Sequence, residues 1–343
     1  MNIMRTRLFK LTLILLFIVL FFFGLVKAAT VLKPLAVSVI LTLLLIPVVR
    51  KLEKHMSHGL ASFAGIFIIF LALSGILGLI SFQAAELSED WDTLKERAGE
   101  RVDKVQDFVM ARTGLTQQQL DNLVKDSGVP KLRSTAQKLV TNTLNSFIDL
   151  LLILIYTFLL IHYRSHFKTF ILKLVDKEDR AENTLEEAAI AVQGYLKAKF
   201  TLIVLLAVVY SVGLTLMGVK FGIFYGILAA LLSIIPYVGN IVGITFPLIM
   251  AIIYNDTTTV MLVIGLFSLA QLLENYILQP LLVKKEVDLH PFFSISFAVI
   301  GGAVWGVTGM IIAIPSLAIL YIIFKNIQDL DPYAYLLSED DDD

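Results

Sequence analysis

The sequence predicts an all-α polytopic membrane protein with about eight membrane segments, an external helical insert and probable inverted helix–hairpin repeats in its C-terminal half. Hydrophobic residues make up 57% of the 343 residues, and the mean hydropathy is +0.81. Apolar segments recur along the chain, and several are long enough to cross a hydrocarbon core of ~30 Å. Proline and glycine interrupt the two longest apolar blocks, which indicates broken helices at membrane depth.

The N-terminal membrane region, residues 1–82, contains apolar segments at 8–26, 34–49 and 60–82. The first segment follows a basic start and resembles a signal peptide. However, a second apolar span begins at once, and no convincing cleavage site lies between them. We therefore interpret the first segment as a retained membrane helix.

A polar insert occupies residues 83–146 and begins with an amphipathic pattern. Apolar residues such as Leu87 and Trp91 recur there every three or four residues, which predicts a helix. We interpret the insert as an external helical cap that packs on itself or on neighbouring subunits, with ligand binding as the alternative. A membrane helix at 147–163 and a helical connector at 164–199 follow it.

Basic residues orient these segments, because lysine and arginine concentrate in cytoplasmic loops. They lie before the first span and after the second and fourth spans, the helix at 260–283 and the last apolar segment, whereas the opposite short loops carry only Lys27, Lys33 and Lys220. The pattern predicts a multi-pass protein of the cell membrane with both termini in the cytoplasm. The connector and the acidic tail at 325–343 then lie on the cytoplasmic side.

The C-terminal unit, residues 200–324, contains the two broken blocks at 221–254 and 292–324. As one straight helix, either block would be about 50 Å long, which exceeds the hydrocarbon core. We expect each to form a re-entrant hairpin; the alternative is a tightly packed helix pair with glycines at the contact. The residues expected at the breaks and along the pathway are Pro236, Tyr237, Gly239, Asn240, Gly302 and Gly306.

The predicted orientation adds a repeat. The helix at 200–217 runs outward before the first broken block, whereas the helix at 260–283 runs inward before the second. The unit of one helix and one hairpin therefore occurs twice with opposite orientation. Inverted repeats of this kind are a feature of secondary transporters, which bind substrate at the repeat interface.

Four polar residues interrupt the apolar helix at 260–283. Gln271, Glu274, Asn275 and Gln279 share one helical face by their spacing. A carboxylate at membrane depth costs at least ~2.5 kcal/mol, so such a group lines a cavity or has partners. One interpretation is a transport pathway, and the other is hydrogen bonding between helices.

Three motifs carry a family resemblance. The stretches SIIPYVGNIVG, QLLENYILQPLLVKKEVDLHP and GGAVWGVTGMIIAIP resemble the autoinducer-2 exporter family of prokaryotic membrane proteins. The resemblance implies about eight membrane segments, small-molecule or ion transport, and a homo-oligomer with a pentamer as the expected form. Some members are associated with export of the signal and others with sodium/proton antiport. One departure is Lys284–Lys285, where such proteins often have a glycine.

Several function classes are excluded or disfavoured. The net charge of −1 gives no reason to expect nucleic-acid binding, and the absence of cysteine excludes thiol chemistry. No nucleotide-binding loop or H-E-x-x-H motif occurs, so we expect no enzyme, no metal and no cofactor. The first hypothesis is a secondary transporter or exporter of a small polar solute. The alternatives are a sodium/proton antiporter with Glu274 titrating and a non-transporting scaffold.

Overall fold

The computed structural model describes residues 2–89, 93, 96–97, 99–100, 149–174, 178–235, 238–282 and 289–339, and its regular elements there are helices. Five helices are long and apolar enough to cross a membrane, or up to six if one bent pair is a single span. Shorter apolar helices accompany them, so the number of about eight segments stays a prediction.

The helices are α1 (Asn2–Lys27), α2 (Ala29–Leu52), α3 (His58–Glu89), α4 (Asp149–His162), α5 (Arg164–Lys173), α6 (Glu178–Leu216), α7 (Gly222–Leu232), α8 (Val238–Tyr254), α9 (Thr257–Leu273), α10 (Gln279–Leu282), α11 (Pro291–Trp305), α12 (Val307–Asn326) and α13 (Asp331–Leu337).

The chain forms two compact units. The first consists of Met1–Ile66, Leu150–Ala198 and Val283–Asp343, and the second of Phe67–Asp149 and Lys199–Leu282. Most of the insert expected at 83–146 lies outside the described residues, although α3 continues through residues 83–89. The domain boundaries drawn from the sequence stay predictions.

Polar side chains join the helices of the first unit at specific points. The Ser38 hydroxyl in α2 lies 2.6 Å from the Pro34 carbonyl of its own helix and 2.9 Å from the Ile153 carbonyl in α4, so its proton is shared between the two helices. Trp305 Nε1 in α11 donates to the Leu25 carbonyl in α1 at 2.9 Å. Donors of this kind are satisfied across helices because a membrane interior offers them no water. Helix pairing in this unit therefore depends on hydrogen bonds as well as on apolar packing.

The predicted membrane helix at 147–163 ends in a sharp bend. Helices α4 and α5 meet at 68° around Tyr163. Beside the bend, Arg164 Nη2 donates to Glu53 Oε2 at 2.7 Å, and His58 Nδ1 lies 2.6 Å from Glu53 Oε1. This ion pair fixes the bend to the turn between α2 and α3.

The block at 292–324 forms two packed helices with a break at Gly306. Its φ of 65° and ψ of −143° lie in a region that favours glycine, so α11 ends and α12 begins there. A Cβ on Gly309 would overlap the carbonyl oxygen of Gly301, which shows how closely the two helices approach. The arms are unequal, because α12 is long enough by itself to be a candidate span.

Helix α6 is longer than the sequence analysis expected. It runs without interruption over 39 residues, so the predicted connector at 164–199 and the predicted segment at 200–217 meet inside one helix. In the second unit one face of α6 is buried at positions spaced by three or four residues, as an amphipathic helix requires. The buried residues on that face are Leu202, Leu206, Tyr210 and Leu214.

The block at 221–254 forms a helical hairpin, with α7 and α8 packed on one another and Pro236 and Tyr237 outside the described residues. Both arms are short, as expected from the sequence. A Cβ on Gly239 would overlap the carbonyl oxygen of Leu232, so glycine permits the close crossing next to the turn. Tyr225 stacks on Phe246 across the pair with ring centroids 6.4 Å apart.

Candidate functional site

Glu274 is the only buried residue with a charged side chain among the described residues, and it is 2% exposed. Its Oε2 accepts a hydrogen bond from Asn240 Nδ2 at 2.9 Å, and its Oε1 accepts from Gln279 Nε2 at 3.5 Å. The ammonium of Lys199 lies 3.9 Å from Oε1. A carboxylate that is buried in an apolar helix bundle thus has three partners, from three parts of the second unit.

Helix α9 positions Glu274 at its C-terminal end. The helix begins at Asp256, whose Oδ1 accepts from the Thr259 amide at 2.9 Å and caps the first turn. The residues between are mostly apolar with few polar side chains, and Val263, Phe267 and Ala270 face the core. The face that buries Phe267 and Ala270 therefore carries Glu274 inward one turn later.

The helix does not continue as a regular α-helix through the motif. Glu274–Leu278 form one π-helical turn, in which the Gln279 amide donates to the Glu274 carbonyl. Pro280 follows, and its ring would collide with the carbonyl four residues back in a regular α-helix. The wider turn places residues five apart on one side, which lets Gln279 reach the Glu274 side chain. The sequence analysis placed Gln271, Glu274, Asn275 and Gln279 on one face of a regular α-helix. The structure corrects this prediction, because the π-helical turn changes the spacing from Glu274 onward.

Asn240 lies on the first turn of α8 and connects the helical hairpin to this motif. Its Nδ2 donates to Gln271 Oε1 as well as to Glu274, and Gln271 Nε2 donates onward to Asn275 Oδ1 at 2.9 Å. Asn240 Oδ1 is buried and has no hydrogen-bond partner among the described residues. The hydrogen bonds thus form a chain that still leaves a carbonyl oxygen available.

Two residues of α6 complete the site, and the sequence analysis missed both. Lys199 was assigned to the connector, but its side chain is only 12% exposed and approaches Glu274. Tyr210 is 1% exposed, stacks on Phe267 with ring centroids 4.3 Å apart, and has a buried hydroxyl without a hydrogen-bond partner in the described part of the chain. The signal was present, because Lys199 continues the three-and-four spacing of the buried face of α6 by one step.

The structure brings some of the predicted site residues together and leaves others apart. Asn240, Gln271, Glu274, Asn275 and Gln279 belong to one hydrogen-bonded group, although Asn275 and Gln279 are exposed. Gly239 serves the helix crossing described above. Two sets lie outside the group, namely Pro236 and Tyr237, which are not among the described residues, and Gly302 and Gly306, which belong to the first unit.

We call Lys199, Tyr210, Asn240, Gln271 and Glu274 the polar cluster. It contains one negative and one positive charge, so a solute that enters it meets a nearly neutral site with both signs present. The carboxylate and amide oxygens suit hydroxyl groups or hard cations, and the amide and ammonium groups suit carbonyl or hydroxyl oxygens. Such a cluster can bind a small polar solute or exchange a cation.

The chain matches known proteins over nearly its whole length. The sequence model of the AI-2E family transporters matches residues 12–329. A proposed transport protein of Borreliella burgdorferi is 28% identical over 334 residues, which cover 93% of this chain and 88% of that protein. The AI-2 transport protein TqsA of Escherichia coli is 20% identical over 335 residues, which cover 96% of each chain. YueF, a proposed transport protein of Bacillus subtilis, is 23% identical over 317 residues, with coverage of 87% and 85%.

Proposed function

The chain belongs to the AI-2E transporter family, as its motifs indicated, and on this premise we propose that it is a secondary transporter that exports a small polar solute past the polar cluster. Family membership and several apolar helices make it an integral membrane protein with a role in transport. The solute, the direction and the pathway belong to the proposal.

The burial of Glu274 is the observation that carries the proposal. A charged side chain at membrane depth is costly, and it is retained where it faces a pathway or meets a partner. Packing alone does not require a carboxylate here, because an apolar residue could fill the same volume without any desolvation cost. The cluster also lies where a helical hairpin meets a helix with an irregular turn, and broken helices are the usual setting of a transporter site.

The solute is proposed from chemistry and from one relative. TqsA is named as an AI-2 transport protein, and we propose for this chain a small polar solute that carries hydroxyl groups. Hydroxyl groups can donate to the Glu274 carboxylate and to the Asn240 carbonyl oxygen, and they can accept from the Lys199 ammonium. We therefore propose an autoinducer-2-like solute, with energy taken from an ion gradient or from the solute's own gradient.

A second candidate is sodium/proton antiport with Glu274 as the titrating group. The ion pair with Lys199 favours it, because a carboxylate that is held near a cation can exchange that cation for another. The two candidates differ in what crosses the membrane, and one reconstituted preparation can test both.

The test is flux in proteoliposomes that contain the purified protein. Export of labelled autoinducer-2 and sodium-driven proton movement are measured for wild type, for Glu274→Gln, and for Asp329→Asn as an exposed carboxylate control. We expect Glu274→Gln to reduce the flux at least about tenfold, which is ~1.4 kcal/mol, and the control to leave it unchanged. Unchanged flux with an unchanged pH profile in Glu274→Gln would show that the cluster only joins helices.

The assembly and the location complete the proposal. We propose a homo-oligomer, with a pentamer as the expected form, in the cell membrane with both termini in the cytoplasm. Native mass spectrometry of the detergent-purified protein measures the oligomer directly, and a monomer at all concentrations would contradict it.

A further inference from the structure

We infer that Lys199 is a tethered cation at Glu274, and that a small monovalent cation binds this carboxylate by displacing the lysine ammonium. The inference rests on the proposed transport function, since it names an ion that the site would exchange. The inference is tested separately from the flux proposal, because it predicts cation binding to the purified protein in the absence of any transported solute.

The geometry of the pair is the first support. The Lys199 Nζ to Glu274 Oε1 distance of 3.9 Å exceeds the 2.7–2.9 Å that is usual for a charge-assisted hydrogen bond. The ammonium therefore balances the carboxylate by charge without being locked onto it. The direct hydrogen bond to the carboxylate at 2.9 Å comes instead from the neutral amide of Asn240.

The second support is a set of oxygen atoms that the pair does not use. Asn240 Oδ1 is buried and the Tyr210 hydroxyl is buried, and neither has a hydrogen-bond partner among the described residues. Tyr210 stacks on Phe267, which lies two turns before Glu274 on the same buried side of its helix. Buried polar atoms are normally satisfied, so each exception needs an explanation. Carboxylate, carbonyl and hydroxyl oxygens are the ligands that hard cations prefer.

Charge balance explains why the two cations would compete. The cluster holds one carboxylate, so an ammonium and a second cation together would leave a buried positive charge without a partner. Lysine suits the exchange because its ammonium stands on a flexible four-carbon stem. Lys199 also lies where the apolar part of α6 begins, next to the polar sequence that precedes it. The ammonium can withdraw toward that polar end while the stem stays among apolar side chains.

The experiment measures sodium binding to detergent-purified protein. Equilibrium binding of ²²Na⁺ and the melting temperature are recorded against NaCl, with choline chloride holding the ionic strength constant. Potassium and lithium chloride in parallel titrations show which cation fits best. The variants are Lys199→Gln, Lys199→Met and Lys199→Arg, with Glu274→Gln as the binding-null variant and Lys197→Gln as a matched control in the same helix.

We expect the neutral variants to bind sodium more tightly than wild type, with a half-saturating concentration roughly tenfold lower, or about 1.4 kcal/mol. Lys199→Arg keeps the competing charge and should bind no more tightly than wild type. Glu274→Gln should bind none, and Lys197→Gln should match wild type. If Lys199→Gln does not fold, Lys199→Met preserves the length of the stem and answers the same question.

Two results would overturn the inference. One is an equal sodium affinity in wild type and in the neutral Lys199 variants, and the other is sodium binding that survives in Glu274→Gln. A complete absence of sodium, potassium and lithium binding in the folded neutral variants would overturn it as well. Failure of the sodium-binding test would not affect the proposal that solute crosses past Glu274. Conversely, a wild-type protein that binds sodium as expected but shows no flux in proteoliposomes would reject the transport proposal.

Discussion

Asn240 Nδ2 donates to Glu274 Oε2 at 2.9 Å, which joins the start of α8 to the end of α9 across 34 residues of sequence. The same amide donates to Gln271, so one side chain satisfies two acceptors on neighbouring turns. This contact ties the helical hairpin to the buried carboxylate. A movement of the hairpin would therefore change the environment of Glu274 directly.

Replacing Asn240 should weaken both the structure and the flux. Asn240→Ala removes the donor to Gln271 and Glu274, and a buried acceptor without its donor costs ~1–3 kcal/mol. We expect a lower melting temperature and a lower proteoliposome flux. Thr245→Ala in the same helix is the control, because its hydroxyl only donates to the Ile241 carbonyl of its own turn. Equal effects of the two substitutions would mean that the cluster has no special role.

The hairpin crossing should tolerate no side chain at Gly239. Gly239→Ala places a Cβ against the Leu232 carbonyl oxygen, and the two backbones must move apart to relieve this overlap. We therefore expect a loss of ~1–3 kcal/mol in the free energy of unfolding. Gly265→Ala is the matched control in α9, since no atom lies within 4 Å of its new Cβ. The control should be neutral or stabilising by ~0.5–1 kcal/mol, because alanine favours a helix. Thermal unfolding in detergent measures the difference, and similar melting temperatures would refute the crossing.

Acid should weaken the bend between α4 and α5. The Arg164 hydrogen bond, and to a smaller degree His58, hold the pKa of Glu53 below its usual 4.5. A depressed pKa in the folded protein means that this stabilisation is full above the unfolded-state pKa and is lost as the pH falls through the folded-state value. Melting temperatures of wild type and Glu53→Gln should therefore differ near neutral pH and converge as the pH falls through the lowered pKa of Glu53. Parallel curves for the two proteins at all pH values would show that the pair contributes nothing.

Orientation can be tested with single cysteines, because the chain has none of its own. Thr258 is exposed in the first turn of α9 and is predicted to lie outside, whereas Ser57 is exposed in the turn after α2 and is predicted to lie in the cytoplasm. An impermeant maleimide applied to intact cells should label Thr258→Cys and spare Ser57→Cys. The reverse pattern would invert the topology, and both should react after the membrane is opened.

The sequence by itself determined the class of protein and the family, and it predicted Glu274 as the acidic residue of the site. Hydropathy identifies an apolar helix, and flanking basic residues predict its orientation, from the segment alone and without knowledge of the helices that pack against it. The same holds for Glu274, since a charge in an apolar segment is visible in the segment itself. The turn at Pro236–Asn240 stays a prediction, because Pro236 and Tyr237 are not among the described residues. Periodicity also indicated that Gln271 and Glu274 share a face, and the structure confirms that Asn240 contacts both.

Only the tertiary structure decided which partners Glu274 has. Lys199 lies 75 positions earlier, and no periodicity within α6 states which helix its face will meet. The π-helical turn likewise depends on the packing around Pro280, because the proline can be accommodated by a kink, a break or a wider turn. The physical reason is that a sequence pattern reports which side of its own helix is apolar. The distance from Lys199 to Glu274 results from how several such helices pack together.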